Sequence, residues 1–600
     1  MKHTHTDLDN IVIIDCEVYP NYFLICVQKM TDGKTISVEI KGGSSRFTIE
    51  ERRELHNLLR RYTSIGFNSL HYDLPIVTYA IDGATCNHIY RMSQRVIKTR
   101  SRDWQTYRQY EVNPLNLSHI DLFEPSPSVM VGLKLYAGRL HTPTLRSLPI
   151  APESVLTADQ IRLIKNYCLN DLVMTADLYN AIKDRIELRL KMSKGYGLNL
   201  MGKSDAQIAE AIIKAKLDIE NVKNEIPETV TYTAPDYIKF TTPELQNVLT
   251  LLDSHQFDVN DSGNIKLPSE ITKLKIVIGN TTYKLGIGGL HSKEKAMTVI
   301  PNNSQLLLDR DVTAYYPSLI LNLRLYPEKL GHMFLDEYEL IVNERVEAKR
   351  SGDATVNASL KIVINGLFGK FGNQYSAVYS PKLLLAVTLT GQLSLLMLIE
   401  QLEANGISVV SANTDGVVSL LAQSDRELFN SICERWEAAT KLSLDETKYK
   451  ALYSKDVNNY FALTVDGDEK RKGVFANTGL NKNPANSICI EAAVKFIKTN
   501  TSITSTINRC ADIRQFLRVQ RVNGGATWKG EPIGNVVRFY YSTKGEHITR
   551  VSNGGKVPFS TDSVPVIELP DNIPDDLDYS RYIEESEKLL KNVGFDNKVA

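Results

Sequence analysis

Two sets of residues in this chain have the types and spacing for metal-dependent phosphate chemistry. The first opens with Asp15-Cys16-Glu17, at the end of the apolar run Ile11-Val12-Ile13-Ile14. That run predicts a buried strand, and alternate residues of a strand share a face, so the two carboxylates point the same way. Like charges that close repel, and a divalent cation is the usual reason to place them together. Asp73 adds a third acid in a loop-like setting, after Gly66-Phe67-Asn68-Ser69-Leu70-His71-Tyr72. Asp171 adds a fourth from the helical stretch that begins at Ile164, where Tyr167 sits four residues earlier on the same face. Four acids from separated segments, with one phenol, are what two-metal cleavage of a phosphodiester requires: one ion activates water, the other stabilises the leaving oxygen.

The second set centres on Ser411-Ala412-Asn413-Thr414-Asp415-Gly416. Apolar, β-branched runs flank it, Gly406 to Val410 and Val417 to Leu421, and the polar turn between them is a hairpin signal. A carboxylate at a hairpin tip is ordinarily a turn residue. Its company changes the reading. Asp311 follows the strand-like run Leu306-Leu307-Leu308, and Lys361, Asn365 and Phe368 fall on one face of a helix at i, i+4, i+7. Carboxylates from different strands are what phosphoryl transfer from a triphosphate requires to hold its two metals.

At these positions the chain resembles a family B DNA polymerase, of the compact kind carried by phages. The family's motifs DxxSLYPS, KxxxNSxYG and DTD stand here in order as DVTAYYPS, KIVINGLFG and NTD. The first set resembles the DxE, Nx(4)D and YxxxD motifs of proofreading 3′–5′ exonucleases. The resemblance covers residues 11 to 475 and implies an α/β and α+β multidomain chain. An RNase H-like exonuclease domain would occupy 1–190, followed by a right-hand polymerase. Within the latter, 191–300 connects into the palm, 301–330 and 373–475 form the palm, 331–372 the fingers, and 476–600 the thumb and a C-terminal helix.

Residue by residue, the resemblance makes Asp15, Glu17, Asp73 and Asp171 metal-binding acids, with Tyr167 orienting the attacking water and Asn68 touching the single strand. It gives two Mg²⁺, with Mn²⁺ as a substitute, to Asp311 and Asp415. Tyr316, with Tyr315 beside it, would stack on the sugar and leave no room for a 2′-hydroxyl. Lys361, Asn365, Arg345 and Lys349 would hold the triphosphate. Gly288 and Gly289, in a segment resembling YxGG, would approach DNA, as would Tyr460 and Lys472 near a primer-gripping region that starts at Lys455. The implied partners are primer-template DNA, a single-stranded 3′ end and deoxynucleoside triphosphates, bound by a monomer with replisome accessory proteins. The departures are Asn413 and Gly366, where the family has Asp and Ser, and Phe368, where it has Tyr. Lys134, in Gly132-Leu133-Lys134-Leu135, matches a further exonuclease lysine only loosely and reads as a surface lysine.

Six hundred residues call for several domains. The seven cysteines show no CxxC pair, so neither a zinc site nor a disulfide framework is expected, and a reducing cytoplasm fits. No apolar run is read as long enough to cross a bilayer. Seventy basic and seventy acidic residues cancel, which counts against a nucleic-acid binder unless basic charge is local, as at residues 94–108 and Lys470-Arg471-Lys472. Two rival readings follow: an exonuclease whose polymerase half has decayed, motivated by Asn413, and a non-catalytic single-strand binder. Residues 319–360 hold little beyond a helix over Asp336–Arg350, which favours priming from a nucleic-acid 3′ end over protein priming.

Overall fold

A computed structural model describes residues 6–100, 103–127, 131–219, 223–477 and 479–595. The chain start at residues 1–5, and Ser101 and Arg102 of the basic stretch, lie outside the described residues. The chain is mixed α/β and divides into two compact units, Met1–Ser204 with Thr478–Glu585, and Asp205–Asn477 with Ser586–Ala600.

The first unit is built on a five-stranded sheet: β1 (Ile11–Tyr19), β2 (Tyr22–Lys29), β3 (Thr35–Lys41), β4 (Thr63–Gly66) and β5 (His119–Asp121), in the order β3-β2-β1-β4-β5. The first three are antiparallel neighbours, whereas β4 runs parallel to both β1 and β5. Both faces are covered, so β1 reads as a continuous apolar run. Ile11 and Ile13 enter the core on one face with Ile164, Cys168 and Leu172 of the helix Ala158–Ala181, while Val12 and Ile14 enter the core on the other. Asp15 and Glu17, in phase with Ile11 and Ile13, therefore face that long helix. The strand continues to Tyr19, which places Asp15 inside it and not at its end as the apolar run alone suggests.

Thr478–Glu585, read from sequence as part of a thumb, belongs to this same unit. It carries a four-stranded sheet of β18 (Arg518–Trp528), β19 (Glu531–Glu546), β20 (Thr549–Arg550) and β21 (Ser563–Pro565), ordered β20-β18-β19-β21. Arg538 of β19 is 1% exposed and donates to the carbonyls of Thr142 at 2.6 Å and Ile567 at 3.1 Å. One buried guanidinium thus ties the N-terminal segment to this sheet.

The second unit is built on a ten-stranded sheet. Its strands are β8 (Ile276–Ile278), β9 (Thr281–Lys284), β10 (His291–Ser292), β11 (Met297–Val299), β12 (Gln305–Val312), β13 (Ser408–Asn413), β14 (Gly416–Ala422), β15 (Leu444–Asp456), β16 (Asn459–Thr464) and β17 (Glu469–Arg471). The main path runs β17-β16-β15-β12-β14-β13-β10-β9-β8, with β11 paired to β15. A separate two-stranded ribbon joins β6 (Thr229–Thr231) to β7 (Gln256–Asp258). The unit also carries the helices Asp205–Lys216, Ala354–Lys370 and Gly331–Ser351, the last starting before the expected Asp336; the expected C-terminal helix spans Tyr579–Asn592.

The reading that no apolar run could cross a bilayer is corrected. The helix Pro381–Ala404 is long and apolar enough, with an 18-residue stretch of mean hydropathy 1.8, but 89% of that stretch is buried within the protein. A helix apolar all round is what a core position in a large unit demands.

Candidate functional site

In the first unit the four acids converge from three elements. Ligand oxygens of Asp15, Glu17 and Asp171 all lie within 4.8 Å of one another. Asp171 is brought there by the helix Ala158–Ala181, whose capping box at Thr157 and Gln160 sets its start. Asp73 is the first residue of a helix, Asp73–Ile81, and not a loop residue. The pairing of β1 with β4 ends at Ile13, and past that point the Asp73 carboxylate accepts the Cys16 N–H at 3.1 Å.

The electrostatics are those of a site short of positive charge. Burial first, then Asp171 and Asp73, raises the Asp15 carboxyl well above the usual carboxylate range; burial and Asp171 do the same to Glu17. Burial pushes the Asp73 carboxyl up to about 7 against the hydrogen bonds from Cys16. The Asp15 Oδ2 atom is buried with no hydrogen-bond partner. An unpartnered carboxylate oxygen inside an acid cluster is costly unless a cation meets it, so these residues fit a divalent ion.

Lys134 is the residue the sequence reading undervalued. It is no surface lysine: its ammonium pairs with Asp171 and lies 4.1 Å from the centroid of the Tyr167 ring. Tyr167 and Asp171, four apart, thus present one face to one lysine. Asp121 was also missed. It is 4% exposed and accepts the N–H groups of Asn68 at 2.7 Å, Leu70 at 3.0 Å and Phe123 at 2.9 Å. That clamp holds Asn68 at a left-handed φ of 57° and sets the path of the loop that delivers Asp73. The HIDLF sequence around Asp121 carries no spacing signal that would have marked it.

In the second unit Asp311 and Asp415 face one cleft, lined also by Asp309, Asn413, Tyr449, Tyr460, Lys470 and Lys472. The hairpin forms as its sequence predicts, Asn413 pairing with Gly416 across a two-residue turn. β14 lies directly beside β12 with Asp311 opposite Gly416, which brings the turn acid to the strand acid. Partial burial, then Asp311, raises the Asp415 carboxyl. Asn413 is turned to structural bonding: its Nδ2 donates to the Val457 carbonyl at 2.9 Å and its Oδ1 accepts from Thr414 at 3.1 Å.

Tyr316 stacks on Phe368, ring centroids 4.3 Å apart and planes 18° from parallel, and its hydroxyl donates to the Gly288 carbonyl at 3.2 Å. Tyr315 is buried, its hydroxyl spent on the Gly391 carbonyl. Of the two, only Tyr316 borders open space. Gly289 lies at φ 136°, where an added Cβ would sit 3.1 Å from the Thr414 backbone; the glycine segment thus packs on the acidic turn. The buried Gln392 fixes that segment, its amide accepting from and donating to the Gly286 backbone, both at 2.8 Å.

Lys361 and Asn365 lie exposed on the helix Ala354–Lys370, on the face that carries Phe368. Gly366 points the other way, where a Cβ would come within 2.7 Å of the Asp205 carbonyl and 2.8 Å of Ala209; close packing on the helix Asp205–Lys216 excludes a larger residue. On the helix Gly331–Ser351, Lys349 is exposed and Arg345 donates to Asn357 at 3.3 Å. Tyr460 and Lys472 both line the cleft, but Lys455 is exposed and does not; Lys470, from the neighbouring strand β17, takes the place beside Asp311.

No family model matches the chain. DNA polymerase 1 of Aeropyrum pernix is 25% identical to it over 203 residues, which is 28% of this chain. The chain spans about a fifth of that relative's length, 21%. Among solved structures, the family B DNA polymerase of the hyperthermophilic archaeon Pyrobaculum calidifontis is 13% identical with a TM-score of 0.39, over 98% of this chain and 78% of that one. The curated relative is a DNA polymerase, the class of enzyme that the motifs resemble.

Proposed function

We propose that this chain, similar to family B DNA polymerases, is a template-directed DNA polymerase that extends a primer 3′ end with deoxynucleoside triphosphates and trims that end with a 3′–5′ exonuclease. The observation that carries the reading is the pair of acid sites, each complete within its own compact unit. In the first unit, the mixed sheet order β3-β2-β1-β4-β5 and the Asp15, Glu17, Asp171 cluster support an RNase H-like exonuclease. In the second, the β12 to β14 sheet would be the palm, and the helices Gly331–Ser351 and Ala354–Lys370 the fingers.

Each residue then has a task. Mg²⁺ held by Asp15, Glu17 and Asp171, with Asp73 alongside, would supply the Lewis acid and the activated water for trimming. Lys134 holds Asp171 in place and, through its ring contact, fixes Tyr167 next to it. In the cleft, Mg²⁺ on Asp311 and Asp415 would neutralise developing charge on the transferred phosphoryl. Lys361 offers a point charge to triphosphate oxygens, with Asn365 on the same exposed face. Tyr316, locked between Phe368 and Gly288, presents a flat ring that excludes a 2′-hydroxyl. The cation count of the cleft, Lys470 and Lys472, supplies the local positive charge that the zero net charge hides. Replication of a phage genome, from an ordinary nucleic-acid primer, is the setting this reading implies.

A recessed-primer duplex incubated with Mg²⁺, with and without deoxynucleotides, tests it. Extension with nucleotides and shortening without them are expected. Shortening alone would support the decayed polymerase, and a mobility shift with neither would support the single-strand binder.

A further inference from the structure

The cleft holds a third carboxylate that the family motifs do not include. Asp309 stands two residues before Asp311 on β12 and so shares its face. The two differ in surroundings: the Asp309 side chain is 5% exposed and that of Asp311 42%. A carboxylate buried that deeply is costly unless its oxygens are met. Here one oxygen, Oδ2, accepts from two donors: the hydroxyl of Tyr449, itself 1% exposed, and the ammonium of Lys470 at 2.8 Å. The same ammonium lies 2.9 Å from Asp311 Oδ2. One end of this bridge is anchored in the core and the other rests on the acid that faces the cleft.

We propose that Asp309 is a positioning residue that parks the Lys470 ammonium on Asp311, where it competes with the divalent cation for that carboxylate. The inference rests on the reading of Asp311 and Asp415 as metal ligands. A lysine suits the task, because its charge is a point on a flexible stem and can leave one carboxylate while keeping the other. Tyr449 orients the anchor from the neighbouring strand β15, and the anchor in turn fixes where the ammonium waits. The competition is electrostatic: a cation entering at Asp311 meets a positive charge already within hydrogen-bond distance of its ligand oxygen.

The test is Mn²⁺ binding followed by electron paramagnetic resonance, on full-length protein without DNA, in an Asp15→Ala/Glu17→Ala background that silences the other acid cluster. The Asp311-dependent binding, defined as the part lost in Asp311→Asn, is expected to tighten about tenfold in Lys470→Gln and to stay near the parent value in Lys470→Arg, which keeps the charge. The tightening should fall below about threefold when Asp309→Asn is already present, because an unanchored ammonium no longer waits at Asp311. A purely structural lysine would not raise metal affinity when removed. Should Lys470→Gln unfold, Lys470→Met, which keeps the apolar stem, takes its place. Equal or weaker affinity in the folded variant would overturn the competition. The absence of any Asp311-dependent Mn²⁺ signal in both parent and variant would instead overturn the metal-site reading beneath it.

Discussion

Replacing Asn413 with Asp supplies the carboxylate that family B polymerases, which the motifs resemble, carry at this position, and the structure gives its consequence a size. The Asn413 amide donates to the Val457 carbonyl at 2.9 Å, a bond a carboxylate cannot make. Losing it and facing two acceptors against each other costs about 1–3 kcal/mol. The new charge also joins Asp311 and Asp415 in the cleft. At an effective dielectric of about 20, their combined repulsion is on the order of 2–3 kcal/mol once Lys470 and Lys472 have offset part of it. The sum is about 3–6 kcal/mol in the metal-free protein, or roughly 5–10 °C in the unfolding midpoint of a unit of this size. Mg²⁺ removes the repulsive share and leaves only the lost hydrogen bond, so the deficit should shrink by half or more.

The assay is thermal unfolding of Asn413→Asp and the parent, in EDTA and in Mg²⁺, beside primer extension. Extension is expected within about tenfold of the parent, with an altered metal dependence. Asp415→Ala, which removes a ligand outright, should cost several orders of magnitude. A midpoint deficit identical with and without Mg²⁺ would mean that position 413 does not face the cation. Tolerance of Asp415→Ala alongside total loss in Asn413→Asp would refute the ligand assignment itself.

Asp15→Ala/Glu17→Ala should abolish 3′ trimming and leave extension within a few-fold, measured on one labelled primer; joint loss of both in a folded protein would mean the two acid clusters serve one activity. Tyr316→Val should raise ribonucleotide incorporation in competition assays, whereas Tyr315→Phe, whose hydroxyl is spent in the core on Gly391, should not. Asp73 is pushed up to about 7 in the folded state, so the native protein binds more protons than the unfolded chain between about pH 4 and that value. Stability in EDTA should therefore fall as pH rises through this window, and Asp73→Asn should flatten the slope; a midpoint that rises with pH would contradict the acid-cluster electrostatics.

Local periodicity made much of both sites legible in the sequence. The two-residue period of a strand puts Asp15 beside Glu17, the helical period puts Tyr167 over Asp171 and Lys361 over Asn365, and a polar turn between β-branched runs makes the hairpin that carries Asp415. These spacings are properties of the backbone and need no partner. The C-terminal helix, Tyr579–Asn592, is legible in the same way, whereas the helix expected from Asp336 starts at Gly331.

What the sequence could not disclose is which distant side chain completes each site. Lys134 reaches Asp171 across 37 residues, Asp121 clamps the Asn68 loop across 53, and Lys470 reaches Asp311 across 159. A lysine reads alike in sequence whether it is solvated or paired, because its environment is set by where the chain path brings it. The same holds for Gly366, explained only by the helix packed against it, and for the apolar helix Pro381–Ala404, where composition alone does not distinguish a protein core from a bilayer. Residues Thr478–Glu585 joined the N-terminal unit through contacts such as Arg538 with Thr142, 396 positions apart. Periodicity thus determined which residues share a face; only tertiary packing decided what each face meets, since burial and charge pairing depend on neighbours brought together by folding.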